Sequence, residues 1–233
     1  MSYRHELKYL ISYTDLALVR ARLGPLLRKD RNVTERGAYT VRSLYFDDYG
    51  NTAYNDKYLG GVERQKFRIR IYNGSDGVIN LEHKTKWCSY VEKHSVRLSR
   101  RQVDDILQGR YDGLLNCPEP LYRVFYHECR TKMLRPRVIV DYEREPYVLA
   151  AGEVRITFDT HVRAALGGWD IFDDRLAAME LLEPHLLVME VKFTAFLPSL
   201  VQRALPQEAT DYTAMSKYGL ACESTFYNRR IDS

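Results

Sequence analysis

The sequence predicts an α+β fold in which eight antiparallel strands form a β-barrel, or tunnel, with short helices packed on the outside. Most of the chain alternates polar and apolar residues, which is the period that a half-buried strand requires. Turn sequences such as NGSDG at residues 73–77 separate the alternating segments, and only three segments have helical spacing. Strands joined by turns in this way are typical of a closed or nearly closed antiparallel sheet.

The predicted strands begin near the N-terminus and continue through most of the chain. In order, they are RHELKYLI (4–11), YTVRSLYFD (39–47), KFRIRIY (66–72), VINLEHKTK (78–86), YVEKHSVRL (90–98), RVIVDYERE (137–145), VRITFDTHV (154–162) and LVMEVKF (187–193). The predicted helices are TDLALVRARLGPLL (14–27), SRRQVDDILQG (99–109) and LPSLVQRAL (197–205). Ser99 is a good N-cap and Gly109 a good stop signal, whereas Pro25 predicts a break near the end of the first helix.

The composition is that of an ordinary soluble globular protein. Hydrophobic residues make up 45% and charged residues 28% of the 233 residues, and the net charge of +4 does not by itself indicate nucleic acid or an anionic membrane. The four cysteines are scattered, which predicts reduced thiols rather than disulfides or a metal site. No apolar run approaches the roughly 20 residues needed to cross a bilayer. We therefore expect a single cytoplasmic domain over residues 1–233, without a signal peptide or membrane segment.

The strand KFRIRI (66–71) has cations on one face and apolar side chains on the other. Lys66, Arg68 and Arg70 alternate with a phenylalanine and two isoleucines, and successive side chains of a strand point to opposite faces. A solvated face is the ordinary explanation for such alternation in one antiparallel strand. A solvated surface, however, usually mixes both signs of charge, and this face carries no acid.

On other predicted strands, charged residues also share a face, although Asp141, Glu143 and Glu145 lie opposite Tyr142 and Arg144. The residues that share a face are Arg4, Glu6 and Lys8; Glu82, Lys84 and Lys86; Lys93, Ser95 and Arg97; Tyr142 and Arg144; Arg155, Thr157 and Asp159; and Glu190 and Lys192. If the strands close into a barrel, about ten cations meet in a lumen of low dielectric, which requires a polyanion. Phosphate chains meet that need because arginine and lysine bind their oxygens. The glutamates fit as ligands of Mg²⁺ or Mn²⁺.

Eight segments, taken in order, resemble the catalytic domain of the vacuolar transporter chaperone (VTC) polyphosphate polymerases, within the triphosphate tunnel metalloenzyme (CYTH-like) superfamily. They are RHELKYLI, YTVRSLYFDD, KFRIRIY, LEHKTK, YERE, VRITFDTHV, LVMEVKF and MSKYG, and they span residues 4–219. VRITFDT followed by MEVKF and SKY is the most distinctive part. The resemblance implies a tunnel that binds ATP, a divalent metal (Mn²⁺ or Mg²⁺) and polyphosphate. It also implies transfer of the γ-phosphate of ATP onto a growing polyphosphate chain.

The resemblance further implies roles for individual residues. Those expected to bind phosphate are Lys8, Arg68, Arg70, Lys84, Lys93, Tyr142, Arg144, Arg155, Lys192, Ser216 and Lys217. Those expected to act in catalysis are Arg68, Arg70, Lys84, Arg155 and Glu190. Glu190 is the expected metal ligand. Glu6 is a second candidate ligand, although an ion pair with a neighbouring cation explains it slightly better.

One position departs from the superfamily pattern of two glutamates and a lysine at alternate positions of the first strand. Arg4 occupies the first of these positions, which leaves Glu6 and Lys8. The departure favours the polymerase branch over the small triphosphatases and weakens the case for a two-metal site. The regulatory and membrane-spanning segments of fungal relatives have no counterpart in this sequence. Coupling to phosphate sensing or translocation would therefore need a separate membrane or regulatory partner.

Two other functions remain open. A triphosphatase or tripolyphosphatase of the same fold would release phosphate, and a non-catalytic module would hold polyphosphate, inositol phosphates or RNA ends. Glu190 argues against the module, because a protein that only binds anions gains nothing from a carboxylate among its cations. We expect no nucleic acid as a partner, because Phe67 and Tyr72 do not interrupt the run of cations as base-stacking aromatics would.

Overall fold

The computed structural model describes residues 5–30, 33–35, 37–88, 90–194, 196–206, 210–211 and 215–231. The chain divides into two compact units, each assembled from three separate stretches of the chain. Unit 1 comprises residues 1–40, 142–163 and 180–216, and unit 2 comprises residues 41–141, 164–179 and 217–233. Each unit therefore depends on contacts between residues that are far apart in the sequence.

Strands make up more of the described part of the chain than helices do. Its strands are β1 (His5–Ser12), β2 (Arg28–Lys29), β3 (Tyr39–Asp47), β4 (Glu63–Tyr72), β5 (Ser75–Trp87), β6 (Tyr90–Arg97), β7 (Arg135–Leu149), β8 (Val154–Ala165), β9 (Ala178–Glu180), β10 (Leu186–Phe193) and β11 (Thr210–Asp211). Its α-helices are α1 (Tyr13–Leu23), α2 (Thr52–Tyr58), α3 (Arg100–Leu107), α4 (Pro120–Thr131), α5 (Ser199–Ala204) and α6 (Lys217–Ile231). Two short 3₁₀ helices are Asp112–Asn116 and Ala151–Glu153.

Unit 1 contains antiparallel strands in the order β11-β1-β10-β8-β7, and β2 pairs with β7. One face of these strands packs against α1 and α5, in a core that includes Val19, Met189 and Val191, each at most 1% exposed. Helix α1 begins with a capping box, in which the side chains of Ser12 and Asp15 bond each other's backbone N–H groups. Because side chains alternate along a strand, the charged residues of β1, β8 and β10 lie on the opposite face.

Unit 2 contains antiparallel strands in the order β7-β3-β4-β5-β6. Strand β7 contributes Arg135–Asp141 to unit 2 and Tyr142–Leu149 to unit 1. The core of unit 2 packs one face of its strands against α3 and α4, and it includes Phe67, Ile69 and Phe125, each at most 1% exposed. The basic side chains of β4 therefore lie on the face away from these helices.

The predicted α+β fold with antiparallel strands is confirmed. Each predicted strand coincides with an observed one, namely β1, β3, β4, β5, β6, β7, β8 or β10. The described residues form eleven strands rather than eight, because β2, β9 and β11 are two or three residues long and too short to show alternation. Helix α1 ends at Leu23 instead of residue 27, just before Gly24 and Pro25. That residues 1–233 form a single domain stays a prediction.

The sequence did not predict helices α2, α4 and α6. The sequence does contain evidence for helix α4. Pro120 is its first residue, and Leu121, Phe125 and Cys129 follow at helical spacing on its buried side. Among the helices that the structure describes, none is long and apolar enough to cross a membrane.

Candidate functional site

The basic face of β4 in unit 2 is organised around one buried carboxylate, that of Glu82 on β5. Arg68 lies directly across from Glu82 in the strand register and donates from Nε to its Oε2 at 2.6 Å. Lys93 on β6 donates to Oε1 of Glu82 at 2.5 Å. A terminal nitrogen of Arg70 lies 3.9 Å from Oε2. Glu82 is only 2% exposed. Three cations therefore share one carboxylate.

The same cations set the ionisation of the acidic groups beside them. Burial by itself raises the pKa of Glu82, but the charges of Arg68, Arg70 and Lys93 lower that pKa to about 2. Tyr45 on β3 accepts a hydrogen bond from Arg68 at 3.0 Å. Burial raises the pKa of Tyr45 too, yet the two arginines lower it to about 8. Both groups report a strong positive potential on this face.

A row of lysines crosses three adjacent strands on this face. Lys66 on β4 lies opposite Lys84 on β5, and Lys84 lies opposite Lys93 on β6. Directly opposed residues of antiparallel strands share a face, and like charges in such positions destabilise the sheet. Lys84 and Lys93 are exposed, and the Lys66 ammonium lies 4.9 Å from the ring centre of Tyr218. An anion placed on this row would relieve the repulsion.

Arg70 is the most buried of the predicted phosphate-binding cations on this face, at 7% exposed. Its Nε donates to the hydroxyl of Ser43 at 3.1 Å. The predicted Lys217 is the first residue of α6 and the predicted Ser216 directly precedes it, and both are half-buried. The structure thus gathers Arg68, Arg70, Lys84 and Lys93 on one surface of unit 2, which we call the cationic face together with Lys66 and Glu82.

The predicted residues of unit 1 form a second group, in which acids and bases alternate. Arg144 on β7 makes two hydrogen bonds of 2.7 Å to the carboxylate of Asp159 on β8 and lies 3.5 Å from Glu190 on β10. Lys192 lies 3.3 Å from Glu190. Burial disfavours the charge of Arg144, but Asp159 outweighs it and raises the pKa of Arg144 well above its usual value. The guanidinium also lies 5.1 Å from the ring centre of Tyr142.

Strand β1 and Arg155 extend this alternation. Lys8 lies opposite Glu190 and Glu6 lies opposite Lys192 in the register of β1 and β10. Glu6 pairs with Lys8 at 3.0 Å and lies 3.9 Å from Lys192, which is the ion pairing expected for it. Arg155 pairs with Asp30 at 3.0 Å. We call these residues of unit 1 the mixed-charge face. Arg4, the departure from the superfamily pattern, lies outside the described residues.

The two faces differ in charge balance, which the sequence alone did not show. On the mixed-charge face each predicted cation has a carboxylate within 4.0 Å, and Asp159 and Asp30 supply two of these partners. Asp159 shares a strand face with Arg155 and could have been identified from that alternation. Asp30 lies outside any predicted strand, so no local pattern indicated it. The cationic face, in contrast, has more cations than acids and is the better site for a polyanion.

The mixed-charge face also offers the better site for a divalent cation. In the described part of the chain, no group of three or more His, Cys, Asp or Glu side chains could hold a metal by itself. Mg²⁺ is commonly held by one or two carboxylates together with substrate phosphates, and one carboxylate suffices for that arrangement. Glu190 has cations at 3.3 and 3.5 Å, whereas Arg144 binds Asp159 at 2.7 Å. The hydroxyl of Thr157, opposite Glu190, is buried without a hydrogen-bond partner among the described residues. These donors fit one hard cation.

Comparison with known proteins gives a family match and structures of similar fold. The sequence model of the VTC domain family matches residues 3–226. The structure of HpAC1 from Hippeastrum, named as an adenylyl cyclase and described as having a dominant triphosphatase activity, has a TM-score of 0.54 at 13% identity, covering 96% of each chain. A Pyrococcus horikoshii OT3 protein has 15% identity and a TM-score of 0.48, covering 95% of this chain and 99% of that chain. At such identities the likeness shows the fold alone. No curated protein matches the sequence.

Proposed function

Because the chain belongs to the VTC domain family of the triphosphate tunnel superfamily, we propose that it is a metal-dependent polyphosphate polymerase. It transfers the γ-phosphate of ATP onto the end of a polyphosphate chain. The family consists of tunnel enzymes that bind polyphosphate or triphosphate, and the superfamily depends on divalent metals. Our proposal adds that the reaction is polymerisation and that the metal is Mn²⁺ or Mg²⁺.

The observation that carries the proposal is the row of opposed lysines on the cationic face. Lys66, Lys84 and Lys93 lie opposite one another across three strands, and Glu82, the acid that Lys93 binds, is shared with Arg68. A chain of phosphates carries negative charge at the regular intervals that such a row requires. A single small anion would neutralise one lysine only, so the row favours an extended polyanion.

The chemistry of the proposed reaction depends on position and charge. A terminal phosphate oxygen of the acceptor chain attacks the γ-phosphorus of ATP, the bond to the bridging oxygen breaks, and ADP leaves with that oxygen. Arg68 and Arg70 hold phosphate oxygens and stabilise the charge that they carry in the transition state. Glu190 would hold the divalent cation, which when bound would supply positive charge to phosphate oxygens.

Hydrolysis is the second candidate reaction. HpAC1, the Hippeastrum protein of similar fold, is described as having a dominant triphosphatase activity. The same phosphate-binding residues would serve hydrolysis if water instead of a phosphate chain attacked the γ-phosphorus. A non-catalytic phosphate-binding module is the third candidate.

Incubation of the purified protein with ATP and Mn²⁺ distinguishes these functions. We expect a ladder of polyphosphate on a gel, together with ADP in equal amount to the phosphate transferred. Free phosphate without a ladder would identify a hydrolase, and neither product would identify a binding module. Arg68→Gln should lose the ladder, whereas Arg101→Gln, at an exposed position of α3, is the matched control and should retain it.

A further inference from the structure

The Thr157 hydroxyl of β8 is a polar group that the fold buries without satisfying. Thr157 is 3% exposed, and its Oγ1 has no hydrogen-bond partner among the described residues. Buried hydroxyls in native proteins almost always have a partner, because burial removes the hydrogen bonds that water would supply. Valine would fill the same volume without this cost. The position therefore carries a hydroxyl that packing alone does not require.

The surroundings of Thr157 indicate which kind of partner is missing. In the register of β8 and β10, Thr157 lies directly opposite Glu190, and Lys192 lies opposite Arg155. On the far side of β10, Lys8 of β1 lies opposite Glu190. Thr157 and Glu190 thus place a hydroxyl and a carboxylate at paired positions on one sheet face, with Arg155, Lys192 and Lys8 at neighbouring positions.

Neighbouring polar groups on this face are already engaged by protein partners. Asp159, two residues along β8, is held by both bonds from Arg144, and Arg155, two residues in the other direction, pairs with Asp30. Neither Asp159 nor Arg155 hydrogen-bonds the hydroxyl of Thr157, which has no partner among the described residues. The unsatisfied hydroxyl therefore lies opposite Glu190, which pairs with Lys192 at 3.3 Å and with Arg144 at 3.5 Å.

We propose that Thr157 Oγ1 is a metal ligand, and that Thr157 and Glu190 together supply the protein's oxygen ligands to one divalent cation. The inference rests on the proposed function, since it assumes that phosphate oxygens of the substrate complete the coordination. Hard cations such as Mg²⁺ and Mn²⁺ accept hydroxyl, carboxylate and phosphate oxygens together. A hydroxyl ligand adds no negative charge, so it completes the cation's shell without repelling the phosphates.

Mn²⁺ binding, measured by electron paramagnetic resonance with tripolyphosphate present and no ATP, tests the proposal without using activity. Thr157→Val should weaken Mn²⁺ affinity by about tenfold or more, the size of effect expected when a group that supports a metal site is removed. Thr157→Ser, which restores the hydroxyl, should bind Mn²⁺ nearly as well as the wild type. Thr160→Val, on the opposite face of the same strand, is the matched control and should leave the affinity unchanged.

Two further measurements separate a ligand from a structural or phosphate-binding residue. Without metal, Thr157→Val should bind tripolyphosphate like the wild type, and its thermal midpoint should be unchanged or higher, because the variant removes an unsatisfied polar group. Wild-type Mn²⁺ affinity in Thr157→Val would overturn the proposal. So would weakened metal-free tripolyphosphate binding, or a lowered thermal midpoint that Thr157→Ser restores. If no polyphosphate ladder forms but Mn²⁺ binding still depends on Thr157, only the polymerase function is refuted.

Discussion

Two buried glutamates, Glu82 and Glu190, are both surrounded by cations but held differently. Glu82 receives hydrogen bonds of 2.6 Å from Arg68 and 2.5 Å from Lys93. Glu190 pairs with Lys192 at 3.3 Å and with Arg144 at 3.5 Å. A carboxylate whose oxygens accept close hydrogen bonds positions the donors. We therefore propose that Glu82 positions Arg68 and Lys93, whereas Glu190, opposite the unsatisfied hydroxyl of Thr157, binds the cation.

The substitution Glu190→Gln tests the metal role of this residue separately from its charge balance. Glutamine keeps the shape and hydrogen-bonding capacity of the side chain but loses the anionic oxygen that a hard cation prefers. We expect polyphosphate binding to persist through the arginines and lysines. Turnover should fall by about a hundredfold or more, as when one electrostatic contact of the transition state is removed. The Mn²⁺ concentration for half-maximal activity should rise; unchanged activity and metal dependence would reassign Glu190 to charge balance.

The depressed pKa of Glu82 makes a prediction about acid stability. Because the pKa falls from 4.5 in the unfolded chain to about 2 in the folded protein, ionised Glu82 stabilises the fold above pH 4.5. That contribution, on the order of 3 kcal/mol, is lost as the pH falls through about 2. Glu82→Gln should therefore be less stable than the wild type at pH 7, and the difference should narrow towards pH 2. Urea unfolding at several pH values measures it; a constant difference would contradict the prediction.

Strand β4 is the element whose two faces the alternation of polar and apolar residues predicts most completely. Its cations and its core residues were both identified from the sequence, because period-two alternation depends only on local geometry. The partners of those cations were harder to predict. Tyr45 and Ser43 reach the arginines through the register of β3 and β4, and Asp30 reaches Arg155 from outside the predicted strands. Long-range register and ion pairing depend on tertiary packing, which no local pattern specifies.

A pair of substitutions on β4 separates its two faces. Ile69→Ala should destabilise the fold by about 2–5 kcal/mol, because a fully buried side chain leaves a cavity in the core of unit 2. Arg68→Ala should destabilise it less, since Lys93 and Arg70 remain near Glu82. Tripolyphosphate affinity should show the reverse order, weakened in Arg68→Ala and retained in folded Ile69→Ala. Calorimetric titration with unfolding curves measures both; similar losses of affinity in the two variants would contradict the assignment of faces.

For the whole molecule, charge distribution matters more than total charge. A net charge of +4 over 233 residues is modest, yet the cationic face gathers Lys66, Arg68, Arg70, Lys84 and Lys93 on neighbouring strands. Composition averages over the chain and therefore could not reveal this concentration. The folded state gathers charges that the unfolded chain keeps apart, so a polyanion should bind the folded state preferentially.

Tripolyphosphate should accordingly raise the thermal stability of the protein. At a hundred times its dissociation constant, a ligand adds about 2.7 kcal/mol to the free energy of unfolding. For a chain of this size we expect the thermal midpoint to rise by about 5–10 °C. The shift should shrink as NaCl is added, because salt screens the exposed lysines. Differential scanning fluorimetry measures the shift, and an equal shift in Arg68→Gln would contradict the proposed binding face.

The pairing of β1 with β10 determines when unit 1 can be completed during synthesis. Ser12 pairs with Leu186 and His5 with Phe193, so β1 cannot pair with β10 until the ribosome has synthesised the chain as far as Phe193. At roughly 5–20 residues per second, that delay is roughly 10–35 s. Strands β4, β5 and β6 follow one another through short turns and can pair as they emerge. In ribosome-bound chains that end near residue 170, we expect protease to cleave β1 and spare β4–β6; a protected β1 in such chains would mean that it finds another partner first.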